Sequence, residues 1–444
     1  TYEYVTEGID LLEPTYHDIS NIQSGEFNPE GYRMVEFPII NALQALVLQA
    51  FPFLPFTATL RTFAVVASIL AMVALYDLVK QLSGEKAALW SLAAFVLMPF
   101  SIFYSRTVLP ESYVLAFSLI SLAAFVRWLR HDTWKWYLLS LGSLMLTFLL
   151  KPFIAFFAPL YLVLILYFRN WRTLYDPRII MYGLTAAAPF GAWRWWIQRY
   201  ESGIPANDWL FNGDGIRFRP AWFRWLFWER ITKLIWGYLG AGLALGNFLR
   251  IREKDTWVYA SWWLGVVLYF SVIATGNVRH DYYQVMILPI LAISMGRGAQ
   301  IVVTELKKHL RPIISYSVVG LVFAGSLWLS WTQVRGYFST NHPEYIRAGE
   351  RVQQLLPEDA IVIAPAMGDT QFLFQTRRQG WPIGFEIEDK IEKGAEYYVS
   401  TSYDDETNRL LEQYQTVERT EAFIILDLTQ PISSEAATTT SRQD

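Results

Sequence analysis

Seven residues that could take part in catalysis stand at the edges of long apolar stretches. They are two carboxylates and five cationic or aromatic side chains: Glu36, Glu111, Arg106, Lys151, Arg279, His280 and Tyr282. Charged groups are costly against a bilayer, so by default they indicate a functional site. A carboxylate can take a proton from an acceptor hydroxyl, and cations can stabilise a phosphate leaving group. These residue types therefore suit group transfer from a phosphate-bearing lipid.

Simpler interpretations of the same residues stay open. Arg106 and Lys151 could be helix-end cations whose charged heads reach lipid head groups. His280 could be a turn residue before an aromatic belt, because tyrosine is enriched at membrane interfaces.

The composition indicates a polytopic membrane protein. Hydrophobic residues make up 53% of the chain and charged residues only 17%, against about 25% charged in soluble domains. The net charge of −3 gives no reason to expect a nucleic-acid partner, which needs a clustered basic face. Cysteine is absent, which excludes disulfides and thiolate metal sites.

Ten apolar stretches approach the length of about 20 residues that a membrane-spanning helix needs. They are 59–79, 87–104, 111–128, 134–150, 152–169, 179–197, 234–249, 257–275, 284–303 and 312–332. The run 134–171 is interrupted only by Lys151-Pro152, and a single helix of that length would overshoot the bilayer. We therefore predict two spans joined by a tight turn, with Pro152 opening the second.

Five alternate short loops carry the positive charge and are predicted to face the cytoplasm. They contain Lys80/Lys86, Arg127/Arg130/Lys135, Arg169/Arg172/Arg178, Arg250/Arg252/Lys254 and Lys307/Lys308/Arg311. This sidedness puts residues 1–58 outside as a first extracytoplasmic loop, in which 39–54 lies along the membrane surface as an interfacial helix. The seven candidate residues then share the outer boundary.

Hydropathy falls from about residue 340, where helix-like and strand-like patterns alternate at 345–356, 360–364, 404–414 and 422–428. The predicted fold is mainly α. A transmembrane helical bundle at 59–335 is followed by a small extracytoplasmic α/β domain at 340–432 and a polar tail at 433–444.

Five short motifs follow one another along the chain. They are RMVEFP at 33–38, RTVLPE at 106–111, LLKP at 149–152, HDYY at 280–283 and RRQGW at 377–381. In their order and common sidedness they resemble GT-C-type membrane glycosyltransferases of the protein mannosyltransferase and aminoarabinose transferase kind. The resemblance covers about residues 1–400.

The resemblance implies transfer of a sugar, mannose-like or another hexose or pentose, from a polyprenyl-phosphate donor. The acceptor is an extracytoplasmic protein, lipid or glycan, and the anomeric carbon is inverted. Glu36 and Glu111 would be the catalytic carboxylates, and Glu36 would orient the acceptor or help to hold a metal. Arg106 and Lys151 would face the donor phosphate, and Arg279, His280 and Tyr282 would close the pocket. No cofactor follows with certainty and a divalent metal stays open, since Glu36 and His280 alone are too few ligands.

Relatives of this kind carry an essential Asp in the first external loop, before a sequence segment that resembles residues 1–14. The chain begins at Thr1 without Met, so we expect one further span and the catalytic Asp to precede it, and the chain as given to be inactive.

Two other functions stay open. A transporter or flippase of a lipid-linked or anionic substrate would also combine many spans with intramembrane charge. A polymerase or ligase of surface glycans would share the donor but differ in acceptor.

Overall fold

The computed structural model describes residues 1–339 and 341–432, which divide into two compact units. The first, the helical unit, comprises Thr1, Glu36–Trp196 and Asn207–Ser339. The second, the α/β unit, comprises Tyr2–Val35, Ile197–Ala206 and the described part of 340–444. The predicted polar tail at 433–444 lies outside the described residues.

The helical unit places a helix in each of the ten predicted apolar segments. Its α-helices are Ile39–Ala50, Phe56–Ser83, Glu85–Leu97, Pro99–Tyr104, Glu111–His131, Trp134–Leu150, Ala158–Phe168, Pro177–Trp196, Asp208–Asn212, Pro220–Phe223, Leu239–Leu245, Asp255–Val272, Ala274–Arg279, Leu288–Leu306 and Pro312–Val334. Short 3-10 helices at Pro152–Phe157, Trp171–Tyr175, Gly246–Arg250, Asp281–Ile287 and Arg335–Ser339, and a π-helix at Arg224–Ile235, complete it.

Within the described residues, four helices are long and apolar enough to cross a membrane by length and composition. They are Phe56–Ser83, Glu111–His131, Asp281–Leu306 and the helix that begins at Pro312. The shorter apolar helices include Ile39–Ala50 and Trp134–Leu150. The chain is therefore a multi-pass membrane protein of mainly helical fold, as predicted. The number of crossings and the surface position of 39–54 remain predictions.

The turn at Lys151-Pro152 forms as predicted. The helix Trp134–Leu150 ends at Lys151, which has extended backbone angles (φ −151°, ψ 116°), and Pro152 opens the next helical segment. Proline favours this first position because its missing N–H would have no partner there anyway. Lys151 is thus the linking residue between two helical segments and belongs to neither of them.

Glycines allow the later helices to approach closely, as small residues do in membrane bundles. A Cβ added at Gly237 would lie 2.0 Å from the carbonyl oxygen of Ser326, and one at Gly246 would lie 2.8 Å from that of Gly298. Gly242, in contrast, has no atom within 4 Å of that position. Close packing by glycine therefore occurs at Gly237 and Gly246 and not at Gly242.

The α/β unit contains a five-stranded mixed sheet. Its strands are β1 (Val362–Ile363), β2 (Gly380–Trp381), β3 (Tyr397–Ser400), β4 (Tyr414–Arg419) and β5 (Ile424–Pro431), in the order β2-β1-β3-β5-β4. β1 pairs in parallel with β2 and β3, and β5 pairs antiparallel with β3 and β4. The helices are Tyr2–Thr6, Pro343–Leu355, Thr370–Thr376, Ile387–Glu392 and Asp405–Gln413, with 3-10 turns at Ile197–Arg199 and Glu201–Gly203.

The RRQGW motif at 377–381 connects several segments of this unit through hydrogen bonds. The buried Arg378 donates hydrogen bonds to the carbonyl oxygens of Pro357 (2.5 Å) and Leu356 (2.9 Å), just after the helix Pro343–Leu355. The amide of Gly380 donates to the carbonyl oxygen of His17 (2.9 Å), which fastens the segment 2–35 to β2. Gly380 leaves no space for a side chain, because a Cβ there would lie 1.7 Å from the carbonyl oxygen of Val362.

Candidate active site

A backbone hydrogen bond brings Glu36 and Lys151 together. The amide of Phe37 donates to the carbonyl oxygen of Leu149 (3.0 Å). Glu36 directly precedes Phe37, so this hydrogen bond brings Glu36 close to Lys151. Glu36 acts electrostatically on the Lys151 ammonium. Glu36 itself is half-buried and forms no hydrogen bond or ion pair with the described residues.

Lys151 and Glu111 form a buried ion pair. The Lys151 Nζ donates to Glu111 Oε1, and the two side chains are only 13% and 3% exposed. Glu111 is the first residue of the helix Glu111–His131, directly after Pro110. The other oxygen, Glu111 Oε2, is buried and accepts no hydrogen bond from the described residues. One acceptor atom at this pair therefore stays available.

Two tyrosine rings cover the ammonium. Lys151 Nζ lies 5.5 Å from the ring centroid of Tyr282 and 5.3 Å from that of Tyr283, within the range of a cation–π interaction. His280 stacks beside them, at 5.4 Å and 6.0 Å between ring centroids. Burial lowers the pKa of the His280 imidazole, although the neighbouring Asp281 opposes the shift. Burial thus favours the neutral imidazole, which can donate or accept a hydrogen bond.

Asp281 is a half-buried anchor that the sequence did not single out as a site residue. Its carboxylate accepts hydrogen bonds from the hydroxyls of Tyr104 (2.8 Å) and Tyr337, and it lies 3.9 Å from Arg230 Nη1. Tyr104 and Tyr337 are distant in sequence and belong to no motif, so no sequence signal marked them. The network fixes the start of the segment Asp281–Ile287, which carries both tyrosines above Lys151.

Two predicted phosphate ligands have other neighbours. Arg106 is exposed and lies over the ring of Phe338, 4.6 Å from its centroid. Arg279 forms an ion pair with Asp214 (2.5 Å) and its side chain is 56% exposed. The structure therefore brings together Glu36, Glu111, Lys151, Tyr282 and His280. Within the described residues, no hydrogen bond or ion pair joins them to the side chain of Arg106 or Arg279, although the Arg279 charge acts on the neighbouring His280.

Carboxylates near a histidine raise the question of a metal. Across residues 1–339 and 341–432, no group of three or more His, Asp or Glu side chains could hold one. Metal dependence is therefore not assigned to this site.

The arrangement combines a half-buried carboxylate that accepts no hydrogen bond from the described residues, a buried ammonium and an aromatic cover. An ammonium has three N–H donors, and one of those on Lys151 is directed at Glu111. The remaining donors can meet an anionic group, while Glu36 can accept a proton nearby. The site can thus bind a phosphate ester and assist proton removal from a second substrate.

Comparison with known proteins agrees with this fold. A sequence model of the family described as dolichyl-phosphate-mannose-protein mannosyltransferase matches residues 36–196, which contain Glu36, Glu111 and Lys151. None of the curated proteins matches the sequence.

Several solved structures share the fold. One is ArnT from Cupriavidus metallidurans bound to undecaprenyl phosphate, with a TM-score of 0.63, 12% identity, and coverage of 97% of this chain and 92% of that chain. Another is the archaeal oligosaccharyltransferase AglB from Archaeoglobus fulgidus in complex with an inhibitory peptide and a dolichol-phosphate. Its TM-score is 0.53 at 13% identity, over 90% of this chain and 64% of that chain. The chain therefore has the fold of GT-C-type membrane glycosyltransferases, and the resemblance predicted from its motifs is confirmed.

Proposed function

We propose that the protein is an inverting glycosyltransferase that moves a sugar from a polyprenyl-phosphate donor to an extracytoplasmic acceptor. The observation that carries the proposal is the buried Lys151–Glu111 ion pair, which lies beneath Tyr282 and Tyr283 with Glu36 beside it. The family match over 36–196 and the shared fold support the class of reaction. The fold relatives bound to undecaprenyl phosphate and dolichol-phosphate support the class of donor.

Lys151 receives the donor phosphate in this proposal. The bond between the anomeric carbon and the phosphate oxygen breaks, and its electron pair stays on the phosphate. The ammonium stabilises the charge that develops there, which is the kind of electrostatic effect that dominates many enzymes. Glu111 holds Lys151 in place through their hydrogen bond. Tyr282 and Tyr283 keep water from the ammonium and thereby strengthen its attraction for the phosphate.

Glu36 takes the proton in this proposal. The acceptor oxygen or nitrogen attacks the anomeric carbon from the face opposite the phosphate, which inverts that carbon, and its proton passes to the Glu36 carboxylate. Glu36 suits this step better than Glu111, because Glu111 already bonds Lys151 whereas Glu36 forms no hydrogen bond or ion pair with the described residues.

The loop charges support an outer-face location for this site. The five basic loops predicted to face the cytoplasm lie at one end of the predicted spans, and Glu36, Lys151 and His280 lie at the opposite end. On that topology the donor head group reaches the site with its tail still in the bilayer. The same predicted topology supports an extracytoplasmic α/β unit.

A turnover measurement on Glu36→Gln tests this proposal. Membranes that contain the full-length protein expressed from its complete gene, and that also supply the acceptor, are given labelled polyprenyl-phosphate mannose and polyprenyl-phosphate pentose in parallel, and released polyprenyl phosphate is quantified. Loss of a general base commonly lowers the rate by about 10²–10⁴-fold. The matched control is Glu30→Gln, since Glu30 is exposed and makes no ion pair with the described residues; its rate should equal that of the unchanged protein.

Two results would contradict the proposal. Equal rates for Glu36→Gln and Glu30→Gln would remove Glu36 from the reaction. Movement of intact donor across vesicles containing the protein, with no polyprenyl phosphate released, would favour the flippase function instead.

A further inference from the structure

A large apolar cavity lies within the helical unit, away from the candidate active site. Its volume is about 680 Å³, and it lies among the helices Leu239–Leu245, Asp255–Val272 and Leu288–Leu306. Three tryptophans, Trp236, Trp257 and Trp263, contribute to its wall. A cavity of this size is within the range of roughly 300–1,000 Å³ that holds small-molecule ligands.

Two of the three indole N–H groups in the wall already have partners. The indole N–H of Trp236 donates to the carbonyl oxygen of Leu291 (3.2 Å), and that of Trp263 donates to Ser294 Oγ (3.0 Å). A sugar or a nucleotide would need hydrogen-bond partners that this wall does not offer. The cavity therefore suits a hydrocarbon chain.

Arg297 lies in the wall of the cavity, but its charge is already paired with protein carboxylates. Its Nε and Nη2 donate to the two carboxylate oxygens of Asp255 (3.0 and 2.7 Å), and Nη2 also reaches Glu253 (2.9 Å). Nη1 donates to Asn247 Oδ1 (2.8 Å). The guanidinium is only 2% exposed, so an anionic head group would have to bind elsewhere.

The mouth of the cavity offers such a place. Ile251 and Thr256 both line the cavity, and the turn between them carries Arg252 and Lys254, which are exposed and form no ion pair with the described residues. Nearby wall residues are exposed and apolar: Phe248 is 66% exposed. Apolar surface beside free cations is the pattern that binds the head group and tail of an anionic lipid.

The cavity is separate from the site that would bind the donor. It is lined by the first turns of the helix Asp255–Val272, whereas His280 and Tyr283 follow the other end of that helix. An 18-residue helix is about 27 Å long at a rise of 1.5 Å per residue. On the predicted topology, the cavity opens at the cytoplasmic boundary.

We propose that this cavity binds one anionic glycerophospholipid of the surrounding membrane, with an acyl chain among the tryptophans and the head-group phosphate at Arg252 and Lys254. The lipid is a bound structural ligand and not a reactant. The inference does not depend on the proposed transferase activity.

Native mass spectrometry of the purified full chain tests the proposal. The protein is reconstituted in nanodiscs of phosphatidylcholine with an equal part of phosphatidylglycerol, released in detergent, and the retained lipids are identified. The unchanged protein should retain phosphatidylglycerol in preference to phosphatidylcholine. The double variant Arg252→Gln/Lys254→Gln should bind phosphatidylglycerol roughly 25-fold more weakly, because each cation near an anionic surface contributes about fivefold in affinity.

Matched variants separate head-group and tail binding. Lys86→Gln/Arg172→Gln removes two exposed cations from other loops of the same predicted side and should retain the lipid. Ala260→Phe fills the cavity from an exposed wall position and should lose it. Ala324→Phe, at an exposed helix position outside the cavity wall, should retain it.

The remaining outcomes would overturn the proposal. Equal retention of phosphatidylcholine and phosphatidylglycerol would remove the head-group assignment. Unchanged retention in Ala260→Phe would place the lipid on the surface only. Displacement of phosphatidylglycerol by added polyprenyl phosphate would assign the cavity to the donor lipid.

Discussion

Removal of the Lys151 charge should lower both the free energy of unfolding and the turnover rate. The two losses can be measured separately. Lys151→Met keeps the length of the side chain but leaves the Glu111 carboxylate, only 3% exposed, without its cation. Breaking a buried ion pair in this way costs about 3–5 kcal/mol of stability. Loss of one charge-stabilising donor also lowers turnover by about 10²-fold or more.

A second variant separates the two effects. In Lys151→Met/Glu111→Gln neither side chain is charged, so most of the lost stability should return, since two neutral partners remove the unpaired charge. Turnover should stay low because no ammonium faces the phosphate. Thermal unfolding in detergent should rank the unchanged protein and the double variant above Lys151→Met, while release of polyprenyl phosphate separates the unchanged protein from both variants.

Either of two results would refute this reasoning. If Lys151→Met unfolds at the same temperature as the unchanged protein, the ion pair is not buried as described. If the double variant recovers turnover together with stability, Lys151 acts only by supporting the fold.

Three further predictions concern residues outside the ion pair. Arg279→Gln should lower turnover less than Lys151→Met does, because its exposed pair with Asp214 is of a kind worth only about 0–1 kcal/mol; the same release assay compares them. Burial, and secondarily Arg377, lowers the pKa of His17 to about 4. At His17 the folded α/β unit therefore binds fewer protons than the unfolded chain, whose His pKa is about 6.5. The stability that this group contributes should be full above that pH and fall as the pH drops towards 4. Denaturant unfolding at pH 7 and pH 5 should show this fall, and His17→Gln should reduce it. Arg378→Gln should destabilise the α/β unit by roughly 1–3 kcal/mol, because it leaves the buried carbonyl oxygen of Leu356 without its donor, measured by the unfolding midpoint.

Much of the helical unit could be predicted because a spanning helix is a local property of the sequence. The ten apolar segments each contain a helix, and Lys151-Pro152 breaks the run 134–171 where expected. In the C-terminal part, the segments 345–356 and 404–414 coincide with helices to within a few residues. The attachment of residues 2–35 to β2 could not be predicted, since it depends on backbone hydrogen bonds across more than 300 positions, such as that between Gly380 and His17.

The candidate site was predictable in its residue types but not in its pairings. Sidedness suggested that Glu36, Glu111 and Lys151 share one boundary, and the structure brings these three together. Local sequence does not determine which cation forms an ion pair with which carboxylate, so the pairing of Arg279 with Asp214 was not predicted. Asp281 lay within a recognised motif, but its role depends on tyrosines that only the fold brings to it.

The location of the donor phosphate tests the central claim most directly. A cryo-electron microscopy structure of the full chain in nanodiscs with added polyprenyl phosphate would provide it. We predict a phosphate oxygen within about 3 Å of Lys151 Nζ, the usual distance of a charge-assisted hydrogen bond, with Glu111 still bonded to the same ammonium. A phosphate held by other cations, with Lys151 bonded to Glu111 alone, would contradict the account.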